Sequence, residues 1–364
     1  MIRVLHVLRK LDPGGIECWL RRLMEHWPAE SRPQFHFALE EADFGSIAQE
    51  MRRWGAVLHH CPPPRNPARC ALALKRIVKA HGPFQAIHCH THHSSGFHLS
   101  VAAELGIPIR IAQSHADFRR MHSRESLLRN AYYASARRLL RSVANVRLAV
   151  SSGASSDLFG HGAPGVEILP CGIDFHEYLR QSPTRNNRRF TLVHVGRMVP
   201  EKNHAHLLGL AIELSSRDSS VLFRLIGDGP LRSELERRAR SWGLAKHIEF
   251  LGQRADVPEL LAHADMFIFP SLAEGLGVAA IEAQAAGLPV VMNSNLPAEL
   301  EVFPQHCSRL ALDLPMSAWA EAAQRLRAVA IPNREERLFR LEQSSFSIQR
   351  NIRSLHAIYS RSRA

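Results

Sequence analysis

"PSLAEGLGVAAIEAQAAGLPVV", Pro270 to Val291, carries two glutamates, Glu274 and Glu282, in an E-x7-E spacing. The apolar run "MFIF" precedes it as a strand, and a Ser/Gly loop opens it. An alanine-rich helix is expected from near Gly277 to just before Gly287. Glu274 then lies on the loop tip and Glu282 about a turn and a half into the helix. Free N–H groups at such a helix start receive a phosphate, and a carboxylate in the first turns can accept both hydrogen bonds of a ribose diol. Exposed helix charge is the alternative. The intervening glycines argue against it, since they cost helix stability unless close backbone approach is needed.

Outward from this stretch, short β-branched runs alternate with helical patterns along the whole chain. The first half offers "IRVLHVL", "FHFAL", "AVLHH", "AIHCH", "IRIAQSH", "VRLAVS" and "VEILP", with helical stretches such as Ile16–Trp27, Ala68–Ala80 and Glu125–Val143. The second half repeats the scheme with "FTLVHVG", "VLFRLIG", "IEFLG", "MFIF" and "LPVVM". Strands alternating with helices predict parallel sheets covered on both faces. "LRQSPTRNNRRF", Leu179 to Phe190, has no periodicity and reads as the linker between two doubly wound domains, 1–183 and 184–345. Two such sheets facing each other leave a cleft lined by strand carboxyl ends, where α/β proteins bind ligands.

The totals bound the function. The 364 residues suffice for two domains, and 45% hydrophobic residues fit a globular chain. The formal charge is +12, and most of the excess lies in residues 1–183, with 23 Lys+Arg against 15 Asp+Glu. Such a balance suits nucleic acid, anionic membrane or phosphorylated substrates. No groove-reading motif or aromatic-interleaved basic platform occurs, so nucleic acid is set aside. The six cysteines are scattered without a CxxC pair, which points to reduced thiols in a cytosolic setting and away from a zinc site. "MIRVLHVLRK" is too short and too soon interrupted by charge to be a signal peptide, and no apolar run is long enough to span a bilayer.

Other candidates also follow strands. "DPGGIE" opens the first helix: either its two glycines let a ligand approach the helix N-terminus, or they form a turn only. In "VGRMVPEKN", Arg197 and Lys202 can converge on a diphosphate as fork donor and point charge, or remain a solvated basic loop. "LIGDGP", with Gly227 and Asp228, is a tight turn or part of a nucleotide wall. The cluster His88, His90, His92 and His93 suggests a metal, but no acidic or Cys partner stands at ligand spacing. His115, in "SHADF", is the better chemical candidate. The segment Arg119–Ser142 carries seven arginines against Glu125, with Leu128, Tyr132, Leu139 and Val143 as an apolar stripe. It is either a basic helix lying on anionic lipid or a core-facing helix with a solvated back.

Assembled, these motifs resemble the retaining nucleotide-sugar glycosyltransferases of family 4, nearly from end to end. The E-x7-E stretch carries the most, and "GGIE", "LPCGID", "VGRMVPEKN", "LIGDGP" and "FLGQRADVPELLAHADMFIFPS" fall in family order. "EGLG…EAQAAGLP" with "SHADF" is most similar to the exopolysaccharide and capsule branch. The resemblance implies the α/β GT-B fold, with two Rossmann-like domains facing a central cleft. Residues 1–183 would bind the acceptor and 184–345 the donor, with 346–364 a helix crossing back to the first domain. It also implies a UDP-sugar donor, or GDP-mannose, and a saccharide acceptor on a lipid carrier. No cofactor or metal is called for, and no D-x-D pair occurs. The setting would be cytoplasmic, on the inner face of the membrane.

The same resemblance divides the labour. Arg197 and Lys202 would neutralise the donor diphosphate, with Gly14 and Gly15 approaching it and Gly227 and Asp228 beside it. Glu282 would hold the ribose. Glu274, with the Gly275, Leu276 and Gly277 backbone, would fix the sugar and its phosphate, and His115 would touch the sugar near the reacting carbon. Leu276 replaces the commonest aromatic and Cys171 the usual asparagine of a "PNG" turn. A non-catalytic nucleotide-sugar or saccharide binder of the same fold is the competing reading; Lys202 and Glu274 speak for catalysis.

Overall fold

The computed structural model describes residues 2–119, 127–179 and 189–361. The chain forms two units, each packed around its own sheet: Met1–Ile173 with Ser345–Ala364, and Asp174–Ser344.

The first unit is a seven-stranded sheet in the order β3-β2-β1-β4-β5-β6-β7. Its strands are β1 (Arg3–Leu8), β2 (Gln34–Leu39), β3 (Val57–His60), β4 (Ala86–Cys89), β5 (Ile109–Ser114), β6 (Val146–Ala149) and β7 (Val166–Ile168). Every neighbouring pair is parallel, and most strands are buried along their length, as sheets covered on both faces must be. The helices between them are α1 (Gly15–His26), α2 (Ala48–Arg53), α3 (Pro67–His81), α4 (Ser95–Glu104), α5 (Leu127–Val143) and α6 (Ser152–Phe159). Helix α3 shows why such boundaries fall where they do. The Asn66 side chain accepts the Arg69 N–H, Pro67 occupies the first turn, and Gly82 ends the helix.

The tail belongs to this unit. Its last helix, Ile348–Tyr359, lays Ile352, Leu355, Ile358 and Tyr359 inward and packs against α1. Asn351 fastens it, accepting from Trp19 Nε1 at 2.7 Å and donating to the Pro170 carbonyl at 2.7 Å.

Helix α5 corrects the expected stripe. Its inward face is Tyr133, Ala136, Arg137, Leu140 and Val143, a 3–4 spacing, whereas Tyr132 and Leu139 are exposed. Arg137 donates to the Asp157 carbonyl at 2.9 Å and so ties α5 to α6. Of the expected stripe Val143 lies on this side, whereas Tyr132 and Leu139 miss it because Tyr132 and Tyr133, and Leu139 and Leu140, are adjacent pairs of like hydrophobicity. Residues 120–126 of the arginine-rich segment lie outside those described.

The second unit is a six-stranded parallel sheet, β10-β9-β8-β11-β12-β13. Its strands are β8 (Phe190–Val195), β9 (Val221–Ile226), β10 (Ile248–Gly252), β11 (Met266–Phe269), β12 (Val290–Asn293) and β13 (Cys307–Leu310). Strand β13 is absent from the sequence expectation; its residues, only partly buried, carry a weak pattern, and pairing with β12 decides it. Helices α7 (His176–Leu179), α8 (His204–Arg217), α9 (Arg232–Ser241), α10 (Val257–Ala262), α11 (Val278–Ala285), α12 (Met316–Arg327) and α13 (Arg334–Gln343) surround it. The division falls at Ile173/Asp174, before the expected linker, because α7 packs on α10, α11 and α13. Of that linker, Leu179 closes α7, Phe190 opens β8, and 180–188 lie outside the described residues. No helix among the described residues is long and apolar enough to cross a membrane.

Candidate active site

In the second unit the strand order reverses between β8 and β11. The crevice outside the carboxyl ends of such a strand pair is the common ligand position of open α/β sheets. The loops leaving these two strands are joined there. Leu272 N–H donates to the Glu201 carbonyl at 2.8 Å, and Asn203 Nδ2 donates to the Pro270 carbonyl at 3.2 Å. Asn203 holds a left-handed backbone, φ 52°, which asparagine tolerates better than most side chains, and turns the chain from Lys202 into α8.

Across this junction Lys202 Nζ meets Glu274 Oε1 at 2.5 Å, with side chains 22% and 9% exposed. Lys202 Nζ also stands 5.6 Å above the Phe269 ring. Glu274 is therefore no exposed charge, and neither is Glu282, which is 9% exposed, lies within α11 and has a partner in the fold. Gly277, φ 85°, begins α11 in a conformation that disfavours a side chain; a Cβ there would stand 2.9 Å from Phe269 Cε1. Gly275 has a partner of its own, and the Leu276 side chain is buried, so at Leu276 the backbone remains the group able to meet a ligand.

The loop after β9 lies against the loop after β8. Met198 N–H donates to the Asp228 carbonyl at 2.9 Å, and Leu231 N–H to the Met198 carbonyl at 3.1 Å. A Cβ on Gly227 would stand 2.1 Å from the Gly196 carbonyl oxygen, so only glycine permits the approach. Asp228 is exposed and paired with Arg232 at 2.9 Å, a bond within its own turn. Arg197 is exposed and makes no ion pair among the described residues. Lys202, Glu274, Arg197, Gly277 and Glu282 thus all stand on the loops and helix following β8 and β11.

In the first unit the order reverses between β1 and β4. Gly14 caps α1, and a Cβ built on Gly15 would meet nothing within 4 Å. Glu17 folds back so that its Oε2 would lie 2.5 Å from a Cβ on Gly14. Burial lifts the Glu17 carboxyl to about 7. His115 follows β5 and ends a line of imidazoles that periodicity could not reveal. Parallel register sets His6 beside His88. His6 Nδ1 and His90 Nε2 are 3.0 Å apart, and His90 Nδ1 and His115 Nε2 are 2.9 Å apart. The other ring nitrogen of His115 faces Cys171 Sγ at 3.8 Å. Burial, with His88 and His92 adding to it, pushes His115 down to about 3. His115 is thus a neutral imidazole at physiological pH and carries hydrogen bonds, not charge.

The histidines read as a metal possibility have partners in the fold. His88 bonds Tyr359 Oη and Gln113 Oε1, each at 2.8 Å, His90 bonds His6 and His115, and His92 bonds Asp157 at 3.2 Å. His93 stacks on Tyr133.

Comparison with known proteins joins these features. Residues 13–177 match the family described as Glycosyltransferase Family 4, and residues 176–334 match Glycosyl transferases group 1. A putative glycosyltransferase of Bacillus subtilis, EpsF, is 32% identical over 98% of this chain and 96% of its own length. The chain is a family-4 glycosyltransferase. Structures agree on the fold. The crystal structure of Anabaena HepE in complex with UDP-glucose covers 98% of both chains with a TM-score of 0.73 at 18% identity, so this glycosyltransferase has the GT-B fold. Over 35% of this chain and 36% of the other, it is 33% identical to an Escherichia coli enzyme named UDP-Gal:alpha-D-GlcNAc-diphosphoundecaprenol alpha-1,3-galactosyltransferase.

Proposed function

We propose that this glycosyltransferase moves a hexosyl group, with retention of anomeric configuration and without a metal ion, from a UDP-sugar to a saccharide on a lipid diphosphate carrier. The setting is polysaccharide assembly at the inner membrane face. The observation that carries this reading is the Lys202–Glu274 pair at the strand-order reversal of the second sheet, with exposed Arg197 on the same loop as Lys202. A cation and a carboxylate kept in contact can divide on donor binding. The ammonium turns to the diphosphate, and the carboxylate accepts a sugar hydroxyl. Arg197 adds a fork donor to the same phosphates. The α11 N-terminus after Gly277 supplies free N–H groups, and Glu282 holds the ribose.

In the reaction the bond from the anomeric carbon to the phosphate oxygen breaks. An acceptor oxygen bonds to that carbon from the same face, and its proton passes to the departing phosphate. Negative charge grows on UDP as the bond lengthens, and Lys202 and Arg197 offset it, as preorganised cations do when they face developing charge. Within the first unit, considered by itself, Gly14, Gly15 and the neutral imidazole of His115 are the candidates for ligand contact. Gly227, Asp228, Gly275 and Leu276 line the donor side of the second unit. The UDP-glucose complex of the Anabaena relative and the UDP-galactose name of the Escherichia coli relative support a uridine donor.

A thermal-shift panel of UDP- and GDP-sugars tests the assignment, since a bound donor stabilises the fold by mass action. The expected outcome is a shift with UDP and a UDP-hexose. A shift confined to GDP-mannose moves the donor to guanosine, and no shift with any nucleotide overturns the reading.

A further inference from the structure

Two groups of three potential metal-binding side chains occur among the described residues, and both are buried in the first unit. The ring nitrogens in the first, His6, His88 and His90, are largely spent on one another, Tyr359, Gln113 and His115. The second, Cys61, Cys70 and His98, is different. Cys61 follows β3, with its N–H on the Leu39 carbonyl at 2.8 Å. Cys70 lies in the first turn of α3, and His98 lies on α4, which packs against α3. One ligand atom from each lies within 4.8 Å of the others.

Three details fit coordination. The two Sγ atoms are 3.9 Å apart. Sulfurs about 2.3 Å from a tetrahedral zinc are held roughly 3.8 Å apart, whereas a disulfide needs about 2.05 Å. His98 Nδ1 lies 3.1 Å from the Ser94 carbonyl, which can only accept, so the proton sits on Nδ1. Nε2 therefore presents a lone pair, and it is buried with the Cys70 thiol as its neighbour. A ligating histidine is usually arranged in this way, its second nitrogen donating to a backbone carbonyl. Finally, two thiolates and a neutral imidazole cancel a divalent charge, which suits a site whose three residues are all buried.

We propose that Cys61, Cys70 and His98 form a structural site for a soft divalent ion of the zinc class, joining the end of β3 to α3 and α4. Binding releases the two thiol protons, and water completes the tetrahedron. The ion takes no part in sugar transfer.

The test is cobalt titration of the full-length protein, followed by absorbance. The expected result is a thiolate-to-cobalt charge-transfer band with d–d bands of tetrahedral intensity, saturating at about one equivalent and bleached by zinc. Cys61→Ser and Cys70→Ser should abolish the charge-transfer band, and Cys307→Ser should leave it. Zinc should raise Tm by several degrees in the parent and not in Cys70→Ser. Because wild-type protein gives the primary readout, a misfolded variant does not obscure the answer. No charge-transfer band in the parent overturns the site, as does a band that survives in both serine variants. A Cys61–Cys70 disulfide in protein isolated with zinc present does the same.

Discussion

Replacing Lys202 by alanine separates the catalytic meaning of the Lys202–Glu274 pair from its structural one. The rate effect follows from charge. Losing one preorganised partner of a developing anion costs about a hundredfold to a thousandfold in kcat. The stability effect follows from burial. Removing one member of a fully buried pair costs about 3–5 kcal/mol because the other charge is stranded. The Lys202 side chain is 22% exposed, so water reaches the site. The expected loss is smaller, about 1–3 kcal/mol, or roughly 2–4 °C of Tm per kcal/mol in a domain of this size. Glu274→Gln in the Lys202→Ala background removes the stranded charge. Stability should then return toward the parent while kcat stays low. The assay pairs donor turnover, read as UDP release with acceptor present, with urea unfolding of the parent, the single variant and the double variant. Near-parental kcat in Lys202→Ala, or a double variant that regains turnover together with stability, would make the pair a packing element and not a catalytic one.

Further outcomes follow from the same residues. Turnover should be unchanged by added magnesium or manganese, because fixed cations meet the leaving diphosphate; strict dependence on either ion would contradict the mechanism. Buried His88 and partly buried His115 are pushed down to about 3, His204 and His206 to about 4, and His6, His90 and His194 well below 6.5. The unfolded chain therefore binds more protons between the folded values and about 6.5, so stability is full above that pH and falls on acidification. Urea midpoints should drop steadily from pH 7 to pH 5, and a flat profile would show these imidazoles to be solvated. On α5, exposed Arg138 and Arg141 flank exposed Leu139, while Arg137 is committed to Asp157. Arg138→Glu with Arg141→Glu should weaken sedimentation with anionic vesicles by on the order of tenfold or more at low salt and leave donor hydrolysis intact; unchanged sedimentation would make this face a solvated one.

Local pattern alone settles what repeats at short range. Apolar runs alternating with helical periods determined both parallel sheets, and strand-end glycines and charges marked the loops on which Lys202, Glu274 and Gly277 lie. Each of these signals is carried by neighbours in the chain. The tertiary structure decided what depends on which strands lie side by side. Strand order put the loops after β8 and β11 together and so brought Lys202 against Glu274. Parallel register aligned His6 with His88, and His90 then links His6 to a His115 that burial keeps neutral. The Cys61, Cys70 and His98 cluster has no spacing to betray it, because its members come from three elements that meet by packing alone. Helix α5 shows the limit from the other side. Its hydrophobicity repeats in adjacent pairs, so sequence allows two faces, and the packing of Leu140 into the core selects one.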